Sequence, residues 1–136
     1  MRIVLALVMG LMAGAANAQT PADRAAIQSV ITGQLDAFQH DDAGAAFEKA
    51  SPMIQEMFGT AGNFLSMVQR GYPPVYRARE SVFAGLEQEE GRIIQRVELV
   101  GPDGRDYLAL YTMERQPNGA WKINGCQLTE SEKVGA

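Results

Sequence analysis

The chain is short of the residues from which covalent staples, metal centres and nucleic-acid surfaces are made. Its 136 residues include one cysteine, Cys126, and one histidine, His40. A lone cysteine closes no internal disulfide, so stability has to come from a packed core. A lone histidine leaves a nitrogen-rich zinc or copper site without ligands, so no metal is expected, and no motif calls for another cofactor. Positive charge is in the minority, with 12 Lys and Arg against 16 Asp and Glu, a formal net charge of −4. Arg77, Arg79, Arg92, Arg96, Arg105 and Arg115 are scattered among acidic neighbours. No basic face therefore invites nucleic acid or anionic lipid.

The one sustained apolar run, Ile3 to Ala13, is too short to span a bilayer comfortably. It instead fits an export signal. Arg2 gives a positive start, and Ala16-Asn17-Ala18 places small residues at −3 and −1 of a cleavage before Gln19. No cysteine adjoins that point for lipid attachment, and Arg2 stands alone rather than as a twin-arginine pair. Loss of residues 1–18 leaves 11 basic and 16 acidic residues, a net charge of −5. The expected product is an acidic, periplasmic domain of residues 19–136, off the membrane once cleaved.

The hydrophobic fraction of 46% and charged fraction of 21% are those of a globular chain. Thr20 or Asp23 caps a first helix in which Ile27, Val30, Ile31, Leu35 and Phe38 form one apolar stripe. Gln28, Gln34 and Gln39 fall off that stripe and are expected in solvent. Asp41 or Asp42 starts a second helix, Ala43 to Ala50. Ser51-Pro52 starts a third with Met53, Ile54, Met57 and Phe58 inward. Gly62 or Asn63 leads into a further turn or two, stopped by Gly71. Tyr72-Pro73-Pro74-Val75-Tyr76 is expected to be extended, because each proline restricts the residue before it.

From Arg77 onward the pattern alternates. Val82, Ala84 and Leu86 mark one face of a first strand, opposite Ser81 and Phe83. Glu89-Glu90-Gly91 turns into Arg92 to Val100, and Gly101-Pro102-Asp103-Gly104 turns again. The best-defined stretch is Tyr107 to Leu128, two apolar runs flanking Pro117-Asn118-Gly119, whose residues tolerate the positive φ of a tight reversal. Tyr107, Ala109, Tyr111 and Met113 share one face, and Trp121, Ile123 and Gly125 are expected opposite Lys122, Asn124 and Cys126. Helices followed by four strands on short turns imply an α+β domain, a helical half of about 23–71 on a curved four-stranded antiparallel sheet of about 75–128. Apolar groups on both sheet faces call for a ligand on one side or a partner, such as a homodimer, on the other.

The helical first half, the Gly71-Tyr72-Pro73-Pro74 bend, four long strands and the closing Gly119-x-Trp121-Lys122-Ile123 resemble the nuclear transport factor two-like superfamily. That superfamily's cone-shaped fold, cystatin-like in outline, includes ketosteroid isomerase and scytalone dehydratase. More narrowly, Phe64-x-x-Met67-Val68-x-x-Gly71-Tyr72-Pro73-Pro74-Val75-Tyr76, Asp103-Gly104 and Tyr111-x-Met113-x-x-Gln116-Pro117 through Gly125-Cys126 resemble a bacterial exported family, domain of unknown function 4864. The resemblance implies a fold and brings no activity with it.

An isomerase-like or dehydratase-like site needs a carboxylate or histidine base beside a tyrosine donor. The candidates are His40 and Asp41 with Tyr111, and Asp36, Asp42 and Glu80 are further carboxylates. Helix-end roles explain His40-Asp41-Asp42 equally well, as a favourable C-terminal His followed by caps. Cys126 has no activating neighbour in sequence and reads as core. Tyr72, Tyr76, Met67, Tyr111 and Trp121 are the candidate lining of an apolar ligand site. The preferred reading is an exported, non-catalytic binding or accessory domain; the alternative is a cofactor-free isomerase or dehydratase. N-terminal sequencing of protein recovered from the periplasm should begin at Gln19, and a chain still starting at Met1 would remove the export signal.

Overall fold

Four residues set the start of the first helix. In the computed structural model, which describes residues 19–131, Thr20 accepts a hydrogen bond from the Asp23 N–H (3.0 Å). The Asp23 carboxylate accepts one from the Thr20 N–H in return (3.2 Å). This reciprocal cap, with Pro21 at the first helical position, launches α1 (Pro21–Gln39). The expected export signal lies outside the described residues. Ile27, Ile31, Leu35 and Phe38 are buried as the stripe predicts, with Val30 at its margin. Gln34 departs from expectation: it is 4% exposed, because α2 (Ala43–Glu48) packs against that side and its Ala46 carbonyl accepts from Gln34 Nε2 (3.1 Å).

Asp42 caps α2 and Ser51 caps α3 (Pro52–Phe58). Ile54 and Phe58 pack against the core, but Met53 and Met57, expected to join them, are 49% and 63% exposed. Two turns of helix present one narrow face, and the aromatic Phe58 and branched Ile54 occupy it. α4 (Ala61–Gly71) is three turns long and begins earlier than Gly62 or Asn63, because Thr60 accepts from the Asn63 N–H (3.1 Å). The Tyr72–Tyr76 segment is not extended throughout. Pro73–Tyr76 forms a turn of helix, α5, with the Tyr76 and Arg77 amides bonded to the Tyr72 and Pro73 carbonyls (2.9 Å each). Both prolines sit where an N–H would be unsatisfied in any case, and Tyr72, with φ −135° and ψ 56°, is neither helical nor fully extended.

The sheet contains β1 (Glu80–Glu89), β2 (Arg92–Val100), β3 (Asp106–Arg115) and β4 (Trp121–Glu130), all antiparallel and in sequential order. The fold is α+β, with the helices packed on one face of this open meander. The hairpin turns at Gly119, whose φ of 91° needs a residue without Cβ strain. Two bulges change which residues share a face. β1 carries an extra residue between Phe83 and Leu86, so those two face the helices together and Val82 is 55% exposed. The expected grouping of Val82 with Leu86 against Phe83 is thereby overturned. β4 carries its extra residue at Asn124, between the Thr112–Gly125 and Met113–Ile123 pairs. Cys126 therefore joins Ile123 on the inner face, across from Tyr111, and Gly125 moves to the outer one.

Each bulge is stabilised by a side chain. Buried Gln95 donates through Nε2 to the Ala84 and Gly85 carbonyls (3.2 and 3.3 Å) and to that of Arg96 (2.9 Å). Ser51 Oγ donates to Asn124 Oδ1 (2.7 Å) while accepting from the Ile54 N–H (3.3 Å). Backbone bonds join the same place, Ser51 N–H to the Ile123 carbonyl and Ile123 N–H to the Lys49 carbonyl, both 2.8 Å. The helical half is thus sewn to β4. On the outer face Ile94 is buried and Leu108 and Leu110 are half-buried, beside the Arg96–Glu87 ion pair (3.7 Å). Ser51→Ala should cost about 2 kcal/mol in urea unfolding, since it removes a cap and strands the Asn124 acceptor. A loss below about 0.5 kcal/mol would show that the junction does not matter.

Candidate functional site

Where the sheet's inner face meets α3, α4 and α5, packing stops short and leaves a cleft of about 290 Å³. Phe38, Ile54, Phe58, Phe64, Met67, Val68, Val75 and Ile123 supply most of its wall. Phe64 anchors the aromatic side, with ring centroids 6.1 Å from Phe38, 5.5 Å from Phe47 and 5.6 Å from Phe58. The exposed Met57 lies at the rim. The lining contains no Asp, Glu, Lys, Arg or His. Its polar side chains are Gln34, Tyr72, Tyr111 and Cys126, all uncharged in their ordinary states.

These groups differ in what they have to bond to. Tyr72 donates to the Cys126 carbonyl (3.2 Å), which fixes its ring against β4; burial raises its hydroxyl above the usual value. Gln34 uses its nitrogen on Ala46, a carbonyl that can only accept, and so keeps its amide oxygen as an acceptor. Tyr111, 1% exposed at the centre of β3, makes no hydrogen bond of ordinary geometry, and the weakly accepting Cys126 sulfur is the polar group that acts on its hydroxyl. Among the described residues its hydroxyl is the one buried side-chain polar atom in that position. Leaving such a group unpaired costs about 1–3 kcal/mol. Its neighbour across the strands is Cys126, whose contact falls short of a hydrogen bond. Burial pushes Tyr111 well above its usual range and the Cys126 thiol up to about 12, the Tyr111 hydroxyl opposing the latter by favouring the thiolate. Although the Cys126 residue retains some surface, its sulfur is enclosed and stays a thiol.

Of the residues expected to line a ligand site, Tyr72, Met67 and Tyr111 border the cleft; Tyr76 and Trp121 do not. Trp121 is buried at the far end of β4 under Arg115, whose guanidinium carbon lies 5.4 Å from its ring. Tyr76 stacks below Arg77 (4.0 Å) and donates to the Asp41 carboxylate. The alternative catalytic set is not assembled. His40 is exposed, with Nδ1 2.9 Å from the Asp36 carbonyl, and neither His40 nor Asp41 reaches the cleft that Tyr111 lines. The other tyrosine–carboxylate pair, Tyr107 to Asp103 (2.6 Å), is also outside it. Gln34 and Cys126 were missed as lining residues. The first looked solvated by helical phase, and the second, read as core, was put by unbroken alternation on the face opposite Trp121 and Ile123.

Asp41 is a fastening point. It takes a left-handed φ of 54°, receives Tyr76, and is held by both terminal bonds of Arg77 Nη2 (3.0 and 3.2 Å). The Tyr76 bond, then the Arg77 bond, lowers its carboxyl below the ordinary 3.8, and the same Tyr76 bond raises the tyrosine. A lowered carboxyl stabilises the fold above its unfolded value and loses that effect as pH falls through the folded one. Asp41→Asn keeps a residue that accepts positive φ. It should therefore lower Tm by a few degrees at pH 7, with the gap to the parent closing below about pH 3. An equal gap at both pH values would assign the effect to shape rather than charge.

Among the described residues no helix is long and apolar enough to cross a membrane, and no cluster of ligating side chains could hold a metal ion. Neither a curated protein nor a solved structure matches the chain. A family model described as "Domain of unknown function (DUF4864)" matches residues 20–136, from the cap of α1 past the end of β4. The chain belongs to the DUF4864 family.

Proposed function

We propose that this is an exported binding domain, non-catalytic, that holds a small apolar molecule between its helices and its sheet. The observation that carries this reading is the cleft of about 290 Å³ with an aliphatic and aromatic wall and no charged side chain. Cleavage after Ala18 and residence in the periplasm rest on the N-terminal pattern. The likeness to the nuclear transport factor two-like cone rests on the order of elements, helices first and then a four-stranded meander closed by Trp121-Lys122-Ile123.

The isomerase-like alternative has less support. Its chemistry requires a base in reach of the reacting carbon, and the carboxylates that meet tyrosines here do so at the surface, as structural bonds. Pairing of two copies through the outer sheet face also has less support than a ligand. The apolar groups there, exposed Val82 apart, are half-buried or buried within the chain and interspersed with Arg96, Glu87 and Gln127.

Native mass spectrometry of protein purified from its own host should show a small organic adduct that is lost on denaturation. The neutral probe N-phenyl-1-naphthylamine should gain fluorescence on binding the emptied protein. Ile54→Trp, which fills the cleft from α3, should weaken that binding at least about tenfold with an unchanged circular dichroism spectrum. A clean apo mass together with no probe binding would dismiss the reading.

A further inference from the structure

We infer that the ligand is a lipophile bound head first, its single uncharged hydroxyl or carbonyl end hydrogen-bonded to the Tyr111 hydroxyl at the cleft floor. This rests on the cleft being a ligand site, as proposed above, and adds the chemical class and the orientation. The inference starts from the one exception in a well-satisfied interior. Buried Gln95, Ser51 and Gln34 each find partners, while Tyr111, equally buried and lining the cleft, finds none. An unpaired buried hydroxyl is disfavoured unless something else completes it. Tyr72 cannot do so by donation, because its hydroxyl is committed to the Cys126 carbonyl. The Cys126 sulfur is a weak acceptor and a weak donor.

The polar end has to be neutral. An ion carried to the cleft floor would lose its hydration, and no lining residue carries an opposite charge to compensate. A hydroxyl or a carbonyl can accept from Tyr111, and a hydroxyl has a second outlet in the acceptor oxygen of Gln34. The titratable groups that line the cleft, Tyr72, Tyr111 and Cys126, all stay protonated through ordinary pH. Any pH dependence of binding therefore belongs to the ligand.

Size and direction follow from the walls. At about 30 Å³ per water-sized group the cleft encloses at least about ten heavy atoms, and a longer molecule runs out past the rim. Tyr111 is at the buried end and exposed Met57 at the rim, so the tail points outward. There exposed Met57 offers adaptable apolar cover, with Met53 one helical turn away on α3.

The test is displacement of N-phenyl-1-naphthylamine at pH 8 by 1-decanol, decane and decanoate, on the parent and on Tyr111→Phe. In the parent, decanol should bind about fivefold tighter than decane, the worth of one neutral hydrogen bond. It should also bind at least about tenfold tighter than decanoate. In Tyr111→Phe the advantage of decanol over decane should vanish while the affinity for decane holds. The ligand-free variant should be at least as heat-stable as the parent, because the hydroxyl it loses had no partner. Equal binding of decanol and decane by the parent would overturn the head-first contact and leave the cleft standing as a binding site. Decanoate matching decanol would overturn the neutral class. A Tyr111→Phe chain that fails to fold would show that the hydroxyl has a structural partner, which also overturns the inference. Displacement by none of the three would bring down the cleft reading itself.

Discussion

The hydrogen bond between Ser51 and Asn124 joins two irregularities that would each be costly alone. Asn124 is the extra residue of β4 over the stretch that pairs with β3, and Ser51 ends one helix approach and caps the next. By meeting, they fix the angle at which α3 leaves the sheet and the point at which β4 changes phase. The consequences run outward from there. The phase change turns Cys126 inward beside Tyr111, and the departure of α3 leaves the gap that Ile54, Phe58 and Met57 border. A sheet without the extra residue would present Gly125 to the helices and Cys126 to solvent.

Charge and polarity are partitioned with some consistency. Carboxylates are used at the periphery as fasteners: Asp23 to Thr20 and Arg115, Asp41 to Tyr76 and Arg77, Asp103 to Tyr107. Each is lowered by its hydrogen bonds, and each secures an end of a helix, a turn or a strand. The interior beside the cleft uses amides, hydroxyls and a thiol instead. Fastening by carboxylates is therefore kept apart from the cleft, whose lining carries no charged side chain.

Much of this architecture was legible from residue order because it is locally encoded. Thr20-Pro21-Ala22-Asp23 specifies a helix start within one turn, and Ile27, Ile31, Leu35 and Phe38 repeat often enough to define a face. Pro117-Asn118-Gly119 likewise settles the last hairpin. Tyr72, Met67 and Tyr111 drew notice as aromatic and thioether groups, and all three border the cleft. What stayed hidden depends on partners distant in sequence. Neither bulge has a local signature, since Gln95 and Asn124 act only once Ala84 and Ser51 are beside them. Gln34 looks like a surface residue until α2 supplies a carbonyl, and Pro73-Pro74 looks extended until Tyr72 supplies the acceptor for a helical turn. His40 and Asp41 attracted attention as a rare pair, but their neighbours are α5 and its exit rather than the cleft.

The sewing of Ala50-Ser51 to Ile123 also sets a timetable for the nascent chain. Every sheet pairing joins sequence neighbours, so β1 to β3 can zip as each emerges. The helices are made first, yet α1 and α3 pack on β4, the last strand to appear. Until Trp121 to Cys126 has joined the sheet, the apolar stripe of α1 lacks its sheet floor and α3 its anchor. The domain is consequently one that closes at its end, completing its interior in a single late step rather than growing outward from its first residues.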